Sequence, residues 1–248
     1  MDRGYYKQYF SLERNHWWFV VRSSIIHQCL EQHLPRVKKL KILNIGVATG
    51  ATSEMLGSFG QVISSEYDHD TCLFLKETLQ IDVVEASVTD LPFKDGEFDV
   101  VCAFDVIEHV ENDTLAVSEM KRVCKKEGTI AITVPADMSL WSQHDVINHH
   151  FRRYTIESIQ KLMDDQKIKQ LYSSHFNSIL YFPIRLVRFV KNVCYKNEKP
   201  SSDFDINFRS WMNLILKKIF SIEKLWMGKR YVSKGVSIIW LGQRLKYE

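Results

Sequence analysis

Between Lys41 and Pro135 the chain alternates short Val- and Ile-rich runs with longer segments whose apolar residues recur at helical spacing. "KILNIG", "QVISSE", "DVVEA", "FDVVCAF" and "GTIAITV" read as strands, and "DTCLFLKETLQ" and "DTLAVSEMKRVCKK" as helices. Buried strands alternating with helices predict an α/β fold, a parallel sheet covered on both faces. Crossovers in such a sheet are right-handed, and ligands bind at the carboxyl ends of its strands. Residues 1–38 are aromatic, basic and helical in pattern, with "SSIIHQCLEQHL" the clearest amphipathic stretch. After Pro135, "ADMSLWSQHDVINHHFRRYT" is polar, aromatic and histidine-rich and reads as an ordered loop. "TIESIQKLMDDQ" follows as a helix with Thr155 as N-cap, then "IKQLYSSHF" as a sixth strand and "GVSIIWLGQRL" as the last. Residues 178–230 form an insertion. Its two apolar stretches, "SILYFPIRLVRFVKNV" and "FRSWMNLILKKIFSIEKLWM", flank a polar "YKNEKPSSDFD" that reads as a mobile loop.

Composition narrows the class. With 248 residues and 45% apolar content the chain can bury a substantial core. A net charge of +3 does not argue for nucleic acid. The five cysteines are scattered and lack C-x-x-C pairs, against a disulfide framework or a structural zinc site. The histidines lack a helical H-x-x-x-H, so no metal is expected. The N-terminus has no signal-peptide apolar region, and no apolar run approaches the roughly 20 residues that span a bilayer. The cytoplasm is the expected location.

"KILNIGVATGATSEM" is a strand entering a glycine turn and then a helix. It lacks the G-x-G-x-x-G of dinucleotide sites: Gly46 and Gly50 are four apart, with Ala48 midway between them. Such a turn brings backbone N–H groups and a helix N-terminus against a ligand. Twenty residues after Gly46, Glu66 ends the second strand, where a carboxylate can accept both hydroxyls of a ribose. The residues thus point to an adenosine-containing cofactor, against the plainer reading of a structural turn and a surface Glu.

"VTDLPFKDGEFDVVCAFDVIEHV" is more specific. Together with "LNIGVATG", Glu66 and "MKRVCKKEGTIAITVP", it resembles the class I S-adenosylmethionine-dependent methyltransferases, in the group of the ubiquinone- and menaquinone-biosynthesis enzymes. "LERNHWWFVVRSSII" and "LWSQHDVINHHFRRYT" resemble a bacterial subgroup associated with polysaccharide and secondary-metabolite pathways. The resemblance implies one Rossmann-like domain with a seven-stranded, mostly parallel sheet and an antiparallel last strand. Residues 1–38 would form a helical cap, 41–135 the cofactor-binding core, 136–230 the substrate-side loop, helix and insertion, and 235–246 the final strand. It implies S-adenosyl-L-methionine as cofactor and S-adenosyl-L-homocysteine as product.

By the same resemblance Gly46 and its turn, with Gly50, hold the methionine portion. Glu66 takes the ribose, Tyr67 packs on the adenine, and Ser87 and Val88 line the adenine slot. The Phe104 carbonyl accepts from the cofactor's ammonium, and Arg22 reaches its carboxylate unless it forms a salt bridge instead. Three positions depart from the pattern. Asn44 replaces an Asp and loses its charge. Ala48 replaces a Gly, so the turn must keep φ negative there or be strained. Ser87 replaces an Asp.

The expected acceptor is a small molecule, most plausibly a hydroxyl of a sugar, glycan precursor or secondary metabolite. A hydroxyl needs a base, and His suits that task near neutral pH. His150 is the first choice, with His109, His144 and Asp145 as further catalytic candidates. Trp141, Arg152, Arg153 and Tyr154 are candidate substrate contacts, the Arg pair holding an anion or else pinning the loop. In the insertion Trp211, Leu214, Ile215, Ile219, Ile222 and Trp226 fall at helical spacing, with Arg209, Lys217, Lys218 and Lys224 around them. Such a stripe packs on its own domain, pairs two subunits in a homodimer, or makes peripheral membrane contact. Two rival functions remain at this level: a non-catalytic scaffold that keeps the fold, and a nicotinamide-dependent oxidoreductase.

Overall fold

The computed structural model describes residues 3–36, 39–194 and 210–246. The polar stretch read as a mobile loop, and Arg209, lie outside the described residues. Seven strands form one sheet: β1 (Leu40–Ile45), β2 (Gly60–Glu66), β3 (Val83–Glu85), β4 (Phe98–Phe104), β5 (Cys124–Pro135), β6 (Ile168–Phe176) and β7 (Ser237–Arg244). Their order is β3-β2-β1-β4-β5-β7-β6. The first five run parallel, and β7 lies antiparallel between β5 and β6. All seven strands fall where the Val/Ile runs put them, and the last is antiparallel as the resemblance implied.

The chain steps outward from β1 to β2 and β3, then returns to β4 on the other side of β1. That reversal opens a crevice at the carboxyl ends of β1 and β4, where open α/β sheets bind ligands. It sets the turn after β1, the end of β2 and the segment after β4 side by side.

Alternation along each strand feeds two cores. Leu43, Ile45, Val101 and Ala103 pack with α5 (Asp113–Val123) and α7 (Ile156–Asp165). Ile42, Val100, Cys102 and Phe104 pack on the other face with α2 (Trp17–His33) and Phe220 of α9 (Ser210–Ser221). α7 starts as its sequence predicts: Thr155 and Ser158 form a reciprocal capping box. One boundary differs. The sequence pattern of α5 extends through Lys126, yet Cys124 is extended at φ −75°, ψ 136° and opens β5. Arg244 Nη1 accounts for the stop, donating to the carbonyls of Lys121, Arg122 and Cys124 at 2.6–3.2 Å.

The remaining helices cover the carboxyl ends or their flanks: α1 (Arg3–Asn15), α3 (Ala51–Leu56), α4 (His69–Thr78), α6 (Gln143–Ile147) and α8 (Tyr181–Cys194). α6 shows that the His-rich stretch is not all loop, being five residues of helix capped by Ser142 and Asp145. No helix among the described residues is long and apolar enough to cross a membrane.

His16 separates α1 from α2 and caps α2, its Nδ1 accepting from Trp18 N at 3.4 Å. Burial lowers its pKa from 6.5 to about 4. The fold therefore favours the neutral ring, and this stabilisation is complete above pH 6.5 and lost as pH falls toward 4, roughly 3 kcal/mol at the lower end. Glu13, Glu108 and Glu223 have raised pKa values and act in the opposite sense, so the comparison must be made against a variant. Asn also caps helices. The stability advantage of the wild-type chain over His16→Asn should shrink between pH 6.5 and 4 in thermal melts; a pH-independent difference would contradict a buried neutral His16.

Candidate active site

The turn after β1 is left-handed at three positions: Gly46 (φ 69°), Ala48 (φ 50°) and Gly50 (φ 88°). At Gly46 a Cβ would lie 2.6 Å from Val106 Cγ2, so glycine lets the backbone approach the segment after β4. Ala48 takes the strained alternative that its side chain left open. A non-glycine residue in this region costs about 1–2 kcal/mol, and glycine returns part of that as unfolded-chain entropy. Ala48→Gly should therefore stabilise the protein by about 0.5–1 kcal/mol in urea titrations. A destabilised variant would show that the methyl group packs usefully.

Glu66 is held by backbone donors. Ala48 N donates to Oε2 at 3.1 Å, and Tyr67 N and Asp68 N donate to Oε1 at 2.8 and 3.2 Å. A carboxylate has about four acceptor sites, so this one is fixed in place and still able to accept. Tyr67 beside it is 76% exposed, its ring open to stacking. Asn44 is buried. Its Nδ2 donates to Thr52 and Ser53 Oγ atoms at 2.8 and 2.9 Å, while Oδ1 is buried without a partner. An orphaned acceptor under the glycine turn, with a poised carboxylate at its rim, fits an adenosine-type cofactor presenting hydroxyl and ammonium donors. Ser87 bonds Thr89 Oγ1 at 2.8 Å, and the Val88 side chain is committed to the core, leaving only its backbone for a ligand.

The first helix closes this side. Thr49 Oγ1 donates to Glu13, Arg14 reaches the Thr49 carbonyl at 3.3 Å and pairs with Glu54, and Tyr6 donates to Asp68 at 3.1 Å. None of these contacts has a signal in the chain that links residues so far apart.

Arg22 takes the second of its two alternatives, an ion pair. It is 5% exposed, and its Nη2 lies 2.8 Å from Asp105 Oδ2 and 2.9 Å from Thr133 Oγ1. Thr133 in turn donates to Asp105 Oδ1 at 2.9 Å. Arg22 thus forms a buried ion pair at the carboxyl end of β4, the salt bridge that its position left open. Phe104, which ends β4, is likewise 6% exposed, its ring in the core.

The second half of the site grows from the β4 end. A 3₁₀ turn at Ile107–His109 carries Glu108 and His109. Phe151 N donates to Glu108 O at 2.8 Å, which straps the His-rich loop onto that turn. The His109 and His150 rings meet edge to face at 4.6 Å, and the His144 ring lies 6.2 Å from His150. All four candidate catalytic residues are therefore brought together, with an unexpected pairing. Asp145 bonds His150, five residues on, whose Nδ1 lies 2.9 Å from Asp145 Oδ1.

Asp145 is fully buried and also receives Arg153, Nε at 2.8 Å and Nη2 at 3.0 Å, and Ser142 N at 2.9 Å. Burial alone would raise its pKa; the His150 hydrogen bond and the Arg153 charge override this and hold the carboxyl well below the usual range. Burial of the His109 ring and the neighbouring His150 push His109 down to about 4, a neutral imidazole at physiological pH.

Glu108 was missed in the sequence, although it stands inside "DVIEHV". It is 0% exposed and neither carboxylate oxygen has a hydrogen-bond partner. Burial and the charge of Asp105 raise its pKa well above the carboxylate range. Donor atoms of Glu108, His109 and His150 all lie within 4.8 Å of one another, a set able to hold a divalent ion that the histidine spacing did not reveal.

In "FRRYT" the polar side chains make contacts within the protein. Arg153 is 7% exposed and donates to Asp145 and, at 3.0 Å, to the Ala136 carbonyl. Arg152 pairs with Asp113 at 2.8 Å and donates to the Glu111 carbonyl. Tyr154 is buried and donates to Asp113 Oδ2 at 2.9 Å. The three pin the loop to α5 and the sheet, the other alternative for the Arg pair. Trp141 is half-buried at the head of the loop, and Phe151, 54% exposed, stands at its other end.

Residues 43–132 match the family model described as a methyltransferase domain. The chain is 27% identical over 158 residues to a protein of Mycobacterium tuberculosis named as a probable S-adenosylmethionine-dependent methyltransferase, covering 62% of this chain and 56% of that relative. It thus spans little more than half the length of that relative. It is 24% identical over 212 residues to the ubiquinone biosynthesis O-methyltransferase of Rickettsia typhi, covering 82% and 83%. Among solved structures, a candidate methyltransferase from Bacillus halodurans superposes with a TM-score of 0.61 at 16% identity, over 90% of this chain and all of the other. Sheet order, glycine turn and the match over residues 43–132 agree: the chain carries a methyltransferase domain on the Rossmann-like fold of the class I S-adenosylmethionine-dependent methyltransferases.

Proposed function

We propose that the chain transfers a methyl group from S-adenosylmethionine to a hydroxyl of a small, partly apolar acceptor, such as a sugar, glycan precursor or secondary metabolite. The observation that carries this reading is the His150–Asp145 pair at the carboxyl ends of the strands. An ionised Asp145 on Nδ1 requires the ring proton there, which leaves Nε2 as the acceptor nitrogen. His150 Nε2 would take the acceptor's hydroxyl proton, and Asp145, fixed by Arg153, would stabilise the imidazolium that forms. When bound, S-adenosylmethionine supplies the methyl on an already activated sulfonium, so alignment and proton removal are the tasks left to the protein. Gly46, Ala48, Gly50 and Glu66 would hold the cofactor, with Asn44 Oδ1 and the Ser87–Val88 backbone as further contacts. Trp141 and Phe151 would wall the acceptor's apolar part.

The experiment is transfer of labelled methyl from S-adenosylmethionine to a panel of free sugars, lipid-linked sugars and phenols. Label on a hydroxyl supports the reading, and label only on nitrogen or carbon overturns the acceptor class. The Glu108–His109–His150 donor set favours one second reading, an ion that lowers the acceptor hydroxyl's pKa in place of a free base. A chelator separates the two: transfer that survives it belongs to the His150 base.

A further inference from the structure

α8 and α9 are apolar on more faces than the fold covers. In α9, Phe220 is buried and Leu216 and Ile219 pack on the core, so one side already anchors the helix. Its other side exposes Trp211 (57%), Leu214 (53%), Ile215 (47%) and, in the following turn, Ile222 (46%). α8 is anchored by Tyr181, whose hydroxyl bonds Asp137, and by buried Arg188, which donates to the Leu140 carbonyl at 2.8 Å. It exposes Phe182 (64%), Leu186 (64%) and Phe189 (65%), spaced i, i+4, i+7 along one face. Apolar positions left exposed beyond the face that anchors each helix call for a further partner.

Charge identifies the surroundings that suit these faces. Within residues 177–190 and 210–236 the only acidic residue, Glu223, is fully buried and donates no charge to the surface. The exposed charges are Arg185, Lys217, Lys218, Lys224, Lys229, Arg230 and Lys234, all positive, in a chain whose overall charge is only +3. Among the described residues the acidic neighbours of these cations are few, Asp137 facing Arg185 and Glu31 beside Lys224, and exposed Trp, Phe and Leu bordered mainly by cations suit the boundary between the headgroups and acyl chains of an anionic bilayer.

We propose that the exposed faces of α8 and α9 dock on an anionic lipid surface. Tyr181 and Arg188 tie α8 to residues 137 and 140, at the start of the loop that carries His144, Asp145 and His150. Docking there would bring the loop that carries the site close to lipid and so select an acceptor with a lipid tail; that last step rests on the methyl-transfer reading, while the docking does not.

The test is co-sedimentation of the full chain with vesicles of phosphatidylcholine alone and of phosphatidylcholine with phosphatidylglycerol. Binding is expected only to the second, weakened by salt, with a blue shift of tryptophan emission. Lys217→Glu/Lys218→Glu, both exposed and outside the site, should lower partitioning about tenfold or more. Leu186→Ser should lower it as well, with an unchanged thermal melt. Equal binding to both vesicles, binding to neither, or a solution dimer that dissociates on Leu186→Ser would overturn the proposal. S-adenosylhomocysteine binding, measured alongside, separates failure of docking from failure of the enzymatic reading.

Discussion

His150→Ala should lower the methyl-transfer rate by about 10²–10⁴-fold, the usual contribution of a positioned base, and leave S-adenosylhomocysteine affinity unchanged. The separation follows from the layout. His150 stands on the loop after β5, strapped to the turn after β4, whereas Glu66 and the glycine turn lie after β2 and β1. His150→Gln tests the geometry, since it preserves much of the shape without a base, and should be nearly as slow. The readout is label transfer to the first acceptor found, with calorimetry on the same preparations. Loss of cofactor binding in His150→Ala would show that the residue supports the pocket instead.

Asp145→Ala carries the largest expected stability loss, about 3–5 kcal/mol, because it leaves the Arg153 guanidinium buried without its carboxylate. Both side chains are at most 2% exposed, so water does not replace the lost partner. Replacing both residues by apolar ones of similar size should recover most of the loss, as expected when two charges are removed together. Urea unfolding of the single and double variants measures this directly. A single variant that loses less than about 1 kcal/mol would mean that the pair is as weak as a surface ion pair. Any activity lost by Asp145→Asn at full stability would then be assigned to its role behind His150.

The sheet was legible because buried parallel strands leave a signature independent of tertiary detail: each Val/Ile run became a strand. The glycine turn and the placing of Glu66 beside it were legible, since Gly46, Gly50 and Glu66 are tied to strand ends by short connections. Partners distant in the chain were not. Arg22 looked able to reach a ligand because its partner Asp105 lies on another element, and only burial pairs them. Arg152 and Arg153 looked like an anion clamp because nothing local shows that Asp113 and Asp145 face them. Asp145 neighbours His144 in sequence, yet α6 turns it toward His150, five residues on. Glu108 was visible as a letter, but its isolation under the two histidines is a property of packing.

The most direct test of the central claim is calorimetric titration of the purified chain with S-adenosylmethionine, S-adenosylhomocysteine and NAD. The structure predicts micromolar binding of both S-adenosyl ligands and none of NAD, with about tenfold or greater weakening in Glu66→Ala as the ribose contacts are lost. Binding of NAD, or S-adenosyl binding indifferent to Glu66→Ala, would contradict the assignment of the crevice between β1 and β4 as the cofactor site.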